Sequence, residues 1–295
     1  MNKYPEYQIK IIETPRDGMQ GIESFIPTQQ KIDYINLLLR CGFDTVEVGS
    51  FVSHKNIPQM KDTAEVLEKL DLSVTKSKIA VLVANLKGGK MAAGFDQVDE
   101  IFFPFSTSPT FLKKNLNATI KEAEKTVDEL QNLCEKNDKK LVTYLSMGFG
   151  DPYGDEWSIE LLHIWIDKLK SKGLSIIPLS DIMGDASPEL IAEVFSQLTA
   201  SFPDIEFGLH LHALAGQAHD KIDAAWQTGI RRFDTVINGM GGCPMTGKEL
   251  VGNLALETLL YYCAEKNIET NLKESMLEQA RRMIQKEFLK YLLAN

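Results

Sequence analysis

Short apolar runs alternate with longer amphipathic stretches along the whole chain. Residues 7–13 carry Ile9, Ile11 and Ile12, β-branched side chains that favour a strand. Pro15 and Gly18 follow, so a loop is expected over 14–20. Ile32, Ile35, Leu38 and Leu39 then recur at helical spacing, and Gly42 closes that helix. The same two patterns repeat. Further strands are predicted over 43–48, 78–84, 100–105, 140–146, 175–179, 205–212 and 232–237. Helices are predicted over 62–70, 88–94, 118–137, 158–172, 188–200, 216–229, 254–264 and 272–293. Residues 50–60, 106–117 and 238–252 read as loops.

Eight strand–helix units in roughly 250 residues are the expected size of a (β/α)8 TIM barrel. A doubly wound open sheet is the competing α/β fold. It would usually show a Gly-rich phosphate loop after the first strand, and Pro15-Arg16-Asp17-Gly18 is not one. No linker or composition break divides the chain. Its 295 residues therefore read as one catalytic domain, with a barrel over about 7–265 and a helical C-terminal extension over about 266–295.

Composition narrows the function. The chain is 44% hydrophobic and 25% charged, which is ordinary for a globular protein. A net charge of -9 argues against nucleic acid and against an anionic membrane surface as partners. It does not exclude an anionic small substrate, because a local arginine and a metal can outweigh the global field. The four cysteines form no CxxC pair and do not resemble a zinc knuckle. The N-terminus lacks an apolar signal core, and no apolar stretch approaches the length of a membrane span. A soluble cytoplasmic protein with reduced thiols is the expectation.

In a barrel, chemistry collects at the C-terminal ends of the strands. Those ends carry Arg16 and Asp17, Glu47, Ser146, Asp181, and His210 with His212. The loop after the eighth strand adds Cys243 and Asn253. His210 and His212 are two apart, so a strand aims both imidazoles at one spot. With Asp17 and Asn253 they make a mixed nitrogen–oxygen set for a divalent cation, Mg2+ or Mn2+ first and Zn2+ second, with positions left open for substrate oxygens. Such a site polarises carbonyl or hydroxyl groups. Arg16 would hold an oxygen that becomes an enolate, and Glu47 would orient Arg16 or a ligating histidine. Arg16, Gln20, Ser146 and Asp181 are the candidate substrate contacts. Cys243 lies in Gly239-Met240-Gly241-Gly242-Cys243-Pro244, where three glycines within four residues allow close approach to a ligand and a thiol can exchange a proton. Cys41, Cys134 and Cys263 read as small buried apolar groups. His54, His163 and His219 lack convergent partners and read as surface or capping residues.

Several of these segments resemble one family. Thr14-Pro15-Arg16-Asp17-Gly18-Met19-Gln20 is similar to the first-strand signature of 3-hydroxy-3-methylglutaryl-CoA (HMG-CoA) lyases, which are DRE-TIM metallolyases. So is Val46-Glu47-Val48-Gly49-Ser50-Phe51-Val52-Ser53, followed by Ile57-Pro58-Gln59-Met60. Phe111-Leu112-Lys113-Lys114-Asn115-Leu116-Asn117 looks like the family's stretch after the fourth strand. Gly241-Gly242-Cys243-Pro244, then Gly252-Asn253-Leu254-Ala255 and Glu257, looks like its catalytic loop and ligand asparagine. The likeness runs from about Ile9 to Tyr262.

The resemblance implies a metal-dependent TIM barrel that cleaves HMG-CoA to acetyl-CoA and acetoacetate. Asp17, His210, His212 and Asn253 would be its metal ligands. Arg16 would stabilise the acetyl-CoA enolate, and Cys243 would close over the site and shuttle a proton. Family members often dimerise, so a homodimer is implied. The related synthases share the metal ligands but generally lack the Gly-Gly-Cys-Pro loop, which tips the reading toward cleavage.

Two positions depart from the pattern. Ala213 stands where the family usually has an aspartate after its histidines, and Ile182 replaces a hydroxyl side chain after the sixth strand. The metal and thiol chemistry survive these changes, while the substrate-facing shell differs, so a related 3-hydroxyacyl-CoA is a further candidate substrate. Two other functions stay open: a synthase joining acetyl-CoA to a 2-oxo acid, and a non-catalytic metal-binding barrel.

Overall fold

The structure is a computed structural model that describes residues 8–213, 215–241, 252–288 and 291. Eight parallel strands close into a barrel in sequence order, with β1 beside β8. The strands are β1 (Lys10–Glu13), β2 (Thr45–Ser50), β3 (Lys78–Leu82), β4 (Glu100–Ser106), β5 (Lys140–Ser146), β6 (Ile176–Asp181), β7 (Glu206–Leu211) and β8 (Arg232–Thr235). The helices are α1 (Pro15–Gln20), α2 (Thr28–Leu38), α3 (Thr63–Glu68), α4 (Leu86–Ala93), α5 (Pro109–Leu116), α6 (Ile120–Lys136), α7 (Ile159–Ser171), α8 (Pro188–Ser201), α9 (Ala215–Gln227), α10 (Leu256–Glu265) and α11 (Glu274–Met283). The expected TIM barrel with added C-terminal helices is the observed fold.

Two apolar layers hold it together. A large shell between strands and helices includes Ile35, Leu38, Phe103, Leu130, Ile166, Phe195 and Leu259. A small cluster of Ile12, Ala80, Phe102, Val142 and Tyr144 fills the barrel interior. Inward and outward residues alternate along each strand, which assigns neighbours to different layers.

The N-terminal end of the barrel is closed by charge. Arg232, at the start of β8, is fully buried and pairs with Glu100 at 3.2 Å and Glu206 at 3.4 Å. Lys78 pairs with Asp44 at 2.9 Å and Glu100 at 3.3 Å, and Lys10 bonds Glu206. Buried charges are tolerable only when paired, and this network supplies the partners. Chemistry at the opposite rim therefore rests on a plugged cylinder.

Four expectations are corrected. Residues 15–20 form α1, with Pro15 at its first turn and Asp17 in the same turn, where proline's fixed φ and an acidic group both suit a helix start. Residues 109–116 form α5 rather than loop. Ser108 caps it by accepting from the Phe111 amide at 3.1 Å, Pro109 opens it, and Asn117 ends it in the left-handed region at φ 50. Its polar composition masked these caps. Strands β2 and β6 run two residues beyond their predicted ends, and β2 carries an irregularity between Glu47 and Gly49. The long helix expected over 272–293 gives way at Met283 to a π-helical turn, Ile284–Phe288.

Candidate metal and acid–base site

The rim is assembled from four places in the chain. Asp17 lies in α1, one turn past the end of β1. His210 lies on β7, and His212 follows it in an isolated antiparallel bridge with Asn253. That bridge brings the segment after β8 back across the barrel mouth. The Leu254 amide also donates to the Leu211 carbonyl at 2.9 Å. Gly241 makes the approach possible: its φ is +80, and a Cβ there would lie 2.9 Å from the Asp17 carbonyl oxygen and the Gly18 Cα.

The donor atoms of Asp17, His210 and His212 all lie within 4.8 Å of one another. The two imidazoles face each other, Nε2 to Nε2, at 3.2 Å. Asn253 donates from Nδ2 to the Met240 carbonyl at 3.0 Å, while its Oδ1 is buried and has no hydrogen-bond partner among the described residues. An orphaned amide oxygen costs stability unless something else fills its coordination. Three nitrogen or oxygen donors and this orphan fit one divalent cation. His210 Nδ1 lies 3.1 Å from Asp234 Oδ2, an arrangement that fixes the tautomer of a ligating histidine.

Electrostatics follow the geometry. Burial works to raise the Asp17 pKa, but Arg16, the two imidazoles and the Asn253 amide together hold it below the ordinary carboxylate value. Burial works to lower the His210 pKa, and the Asp234 hydrogen bond and the charges of Asp234 and Asp17 reverse that, leaving it raised.

Arg16 is locked in place. Its Nε donates to Glu47 Oε1 at 2.8 Å and its Nη2 to Glu47 Oε2 at 2.9 Å. Nη1 donates to Asp17 Oδ1 and to Gln20 Oε1, both at 2.8 Å. Burial pushes the Glu47 carboxyl up to about 7, with Arg16 pulling it down and Asp17 pushing it up. A cavity of about 190 Å³ opens beside this cluster. Arg16, Asp17, Gln20, Glu47 and His210 lie on one side, and Tyr144, Ser146, Ser180 and Ile182 also line it.

Most of the expected site is brought together. Arg16, Asp17, Gln20, Glu47, Ser146 and His210 line the cavity; His212 joins Asp17 and His210 in one cluster of donor atoms, and Asn253 is bridged to His212. Asp181 is the exception and a correction. Its carboxylate pairs with Lys221 of α9 at 3.3 Å and accepts from the Ala186 amide at 3.1 Å, and it does not line this cavity. Side chains alternate along β6: Ile177, Leu179 and Asp181 face the helices, and Ser180 faces inward. Cys243 lies outside the described residues. Asp234 and Tyr144 were not anticipated. The signal for Asp234 was an acidic residue inside an otherwise strand-like run, Arg232-Phe233-Asp234-Thr235. Tyr144 gave none, since an inward tyrosine reads as core.

Comparison with known proteins decides the family. A model described as HMGL-like matches residues 8–284. The chain belongs to the HMGL-like family. Among its HMGL-like relatives, hydroxymethylglutaryl-CoA lyase YngG of Bacillus subtilis is 33% identical over 273 residues, covering 92% of this chain and 90% of the relative. The mitochondrial hydroxymethylglutaryl-CoA lyase of Bos taurus is 33% identical over 274 residues, covering 92% and 83%. A crystal structure of the Bacillus subtilis HMG-CoA lyase superposes with a TM-score of 0.89 at 33% identity, covering 96% of this chain and 94% of that one. An HMG-CoA lyase from Acinetobacter baumannii, solved with coenzyme A and 3-methylmalate, gives 0.86 at 29% identity, covering 94% and 90%. Among the described residues, no helix is long and apolar enough to cross a membrane.

Proposed function

We propose that the chain is a metal-dependent carbon–carbon lyase that cleaves HMG-CoA, or a related 3-hydroxyacyl-CoA, by retro-Claisen chemistry. HMG-CoA yields acetyl-CoA and acetoacetate. The observation that carries this reading is the convergence of Asp17, His210, His212 and the orphaned Asn253 Oδ1 beside an arginine held by its own carboxylate.

These four residues would hold a divalent cation, Mg2+ or Mn2+ first given the two hard oxygen donors, with Zn2+ also compatible. Bound there, it would lower the pKa of the substrate's tertiary hydroxyl and polarise an adjacent carbonyl. The chain's own residues do the rest. Asp17 takes the hydroxyl proton, since His210 Nδ1 is bonded to Asp234 and its Nε2 would be given to the cation. The bond between C2 and C3 breaks, and its electron pair moves onto the thioester as an enolate. Four of the five N–H groups of Arg16 are spent on Glu47, Asp17 and Gln20, which leaves one on Nη2 for the enolate oxygen. Cys243 returns a proton to carbon. Gln20 holds Asp17 and Arg16 in register, donating to Asp17 Oδ1 at 2.7 Å. Ser146 lies where it would contact the acyl group.

The test is one assay: purified protein, Mg2+ or Mn2+, HMG-CoA, and measurement of acetoacetate. Cleavage of another 3-hydroxyacyl-CoA instead would keep the reaction class and discard the substrate. Inactivity on every such thioester would discard the class. A cytoplasmic setting belongs to this reading and is supported by a rat relative named as cytoplasmic, 32% identical over 269 residues. A homodimer is the expected assembly on family resemblance, and light scattering would test it.

A further inference from the structure

Tyr144 on β5 is 7% exposed and lines the cavity, yet its hydroxyl has no hydrogen-bond partner among the described residues. Leaving a buried hydroxyl unpaired is costly, because the group has given up its water and gained nothing in return. The ring is held on two sides, edge-on to Phe102 at 5.2 Å and to His210 at 5.8 Å between centroids. The neighbouring acceptor is Asp234. Its Oδ2 is taken by His210, and its Oδ1 is buried and equally unpaired. The Asp234 carboxylate acts on the phenol from close by, but the pair falls outside hydrogen-bond geometry. A phenol is protonated at neutral pH, so the group offers a donor. Arg16 and Glu47 are also within electrostatic reach of it.

A donor with no acceptor of its own, packed against His210 in a cavity that Arg16 also lines, fits an oxygen supplied by the substrate. We propose that Tyr144 is a catalytic residue: its hydroxyl and the free Nη2–H of Arg16 form a two-donor oxyanion hole for the thioester enolate. The proposal rests on the lyase reading above. No proton is transferred from Tyr144. The C2–C3 electron pair becomes the enolate, the hydroxyl proton goes to Asp17, and the phenol strengthens its hydrogen bond as charge grows on the oxygen. Donors aimed at developing charge act more on the transition state than on bound substrate.

The test is Tyr144→Phe in the metal-loaded enzyme, with four readouts. With HMG-CoA, kcat should fall about 10²–10³-fold while KM moves only a few-fold, the scale for one lost oxyanion donor. With acetyl-CoA as probe, exchange of its methyl protons with deuterated solvent should slow to a similar degree, because that exchange needs the same enolate. Mn2+ affinity should hold within about twofold, and the melting temperature should hold or rise, since no protein partner is lost. An unchanged kcat would overturn the proposal. So would slow cleavage with normal exchange, or a loss of Mn2+ affinity in step with the rate, which would mean that Tyr144 acts through Asp234 and His210. A wild-type protein inactive on HMG-CoA would count against the substrate reading alone, because exchange into acetyl-CoA would still score Tyr144.

Discussion

His210 Nδ1 lies 3.1 Å from Asp234 Oδ2, across a β7–β8 pairing whose register sets the two residues side by side. The hydrogen bond puts the proton on Nδ1 and leaves Nε2 bare toward Asp17 and His212. Asp234→Asn keeps the size but offers an amide that can donate, which favours the opposite tautomer. Mn2+ affinity should fall about 10–100-fold, the usual effect of losing such a supporting partner. A titration with unchanged affinity would remove Asp234 from the site.

Metal binding should also stabilise the fold. Donor atoms of Asp17, His210 and His212 lie within 4.8 Å of one another, and Asn253, bridged to His212, has a buried Oδ1 with no hydrogen-bond partner among the described residues. A cation at about 100 times its Kd adds about 2.7 kcal/mol to unfolding free energy. For a chain of 295 residues, that is a rise of roughly 4–5 °C in melting temperature. His212→Ala should lose the rise, and a chelator should abolish it in the wild type. A melting curve indifferent to Mg2+ and Mn2+ would count against the four-residue set.

Much of this was legible in the sequence because it is local or periodic. The spacing of His210 and His212 requires only a strand, and the barrel requires only the repeating alternation of two hydrophobic periods. What stayed hidden depends on register between distant segments. Asp234 matters only because β8 places it opposite His210. Asp181 faces outward because it shares the phase of Ile177 and Leu179, which pack against the helices, and Lys221 of α9, distant in sequence, supplies the partner that makes its burial tolerable. Helix α5 was missed because Ser108 and Pro109 read as turn residues when they were a cap and a first turn.

Arg16 cannot be replaced by another cation. Its guanidinium forks onto Glu47, and its remaining hydrogens reach Asp17 and Gln20. A lysine ammonium keeps the charge but cannot reproduce the fork. Arg16→Lys should reduce kcat about 10²–10³-fold with little change in Mn2+ affinity. Recovery of near-normal turnover would mean that charge alone suffices.

The proton-return role proposed for Cys243 can be tested apart from metal binding. Cys243→Ala should depress turnover strongly and leave the melting temperature and Mn2+ affinity as they were. Cys41, Cys134 and Cys263 serve as internal controls: all are buried, and burial pushes their thiols up to about 12, about 12 and about 11. A thiol-directed reagent such as iodoacetamide should therefore act on Cys243 first. Unchanged turnover in the alanine variant would remove Cys243 from the mechanism.

Glu13 gives the protein a pH dependence away from the metal site. It ends β1, is fully buried, and accepts from the Ile237 amide at 2.9 Å. Thr235 Oγ1 lies 3.0 Å from its other oxygen. Burial pushes its pKa from 4.5 up to about 8; the bonds from Ile237 and Thr235 pull it down, and the charge of Glu257 pushes it up. At neutral pH the folded chain thus holds a proton that the unfolded chain has released. Stability from this group is fully present below pH 4.5 and is lost as pH rises toward about 8, by about 1.4 kcal/mol per unit and a few kcal/mol in all. Protonated Glu13 can donate to Thr235 Oγ1, which lies 3.3 Å from the Ile12 carbonyl and can pass the hydrogen bond on. Glu13→Gln preserves that donor and the acceptor for Ile237 but cannot ionise. The variant should match the wild type near pH 5 and melt several degrees higher near pH 9. Parallel melting profiles across that range would show that the carboxyl is ionised in the fold and that its two hydrogen bonds outweigh its burial.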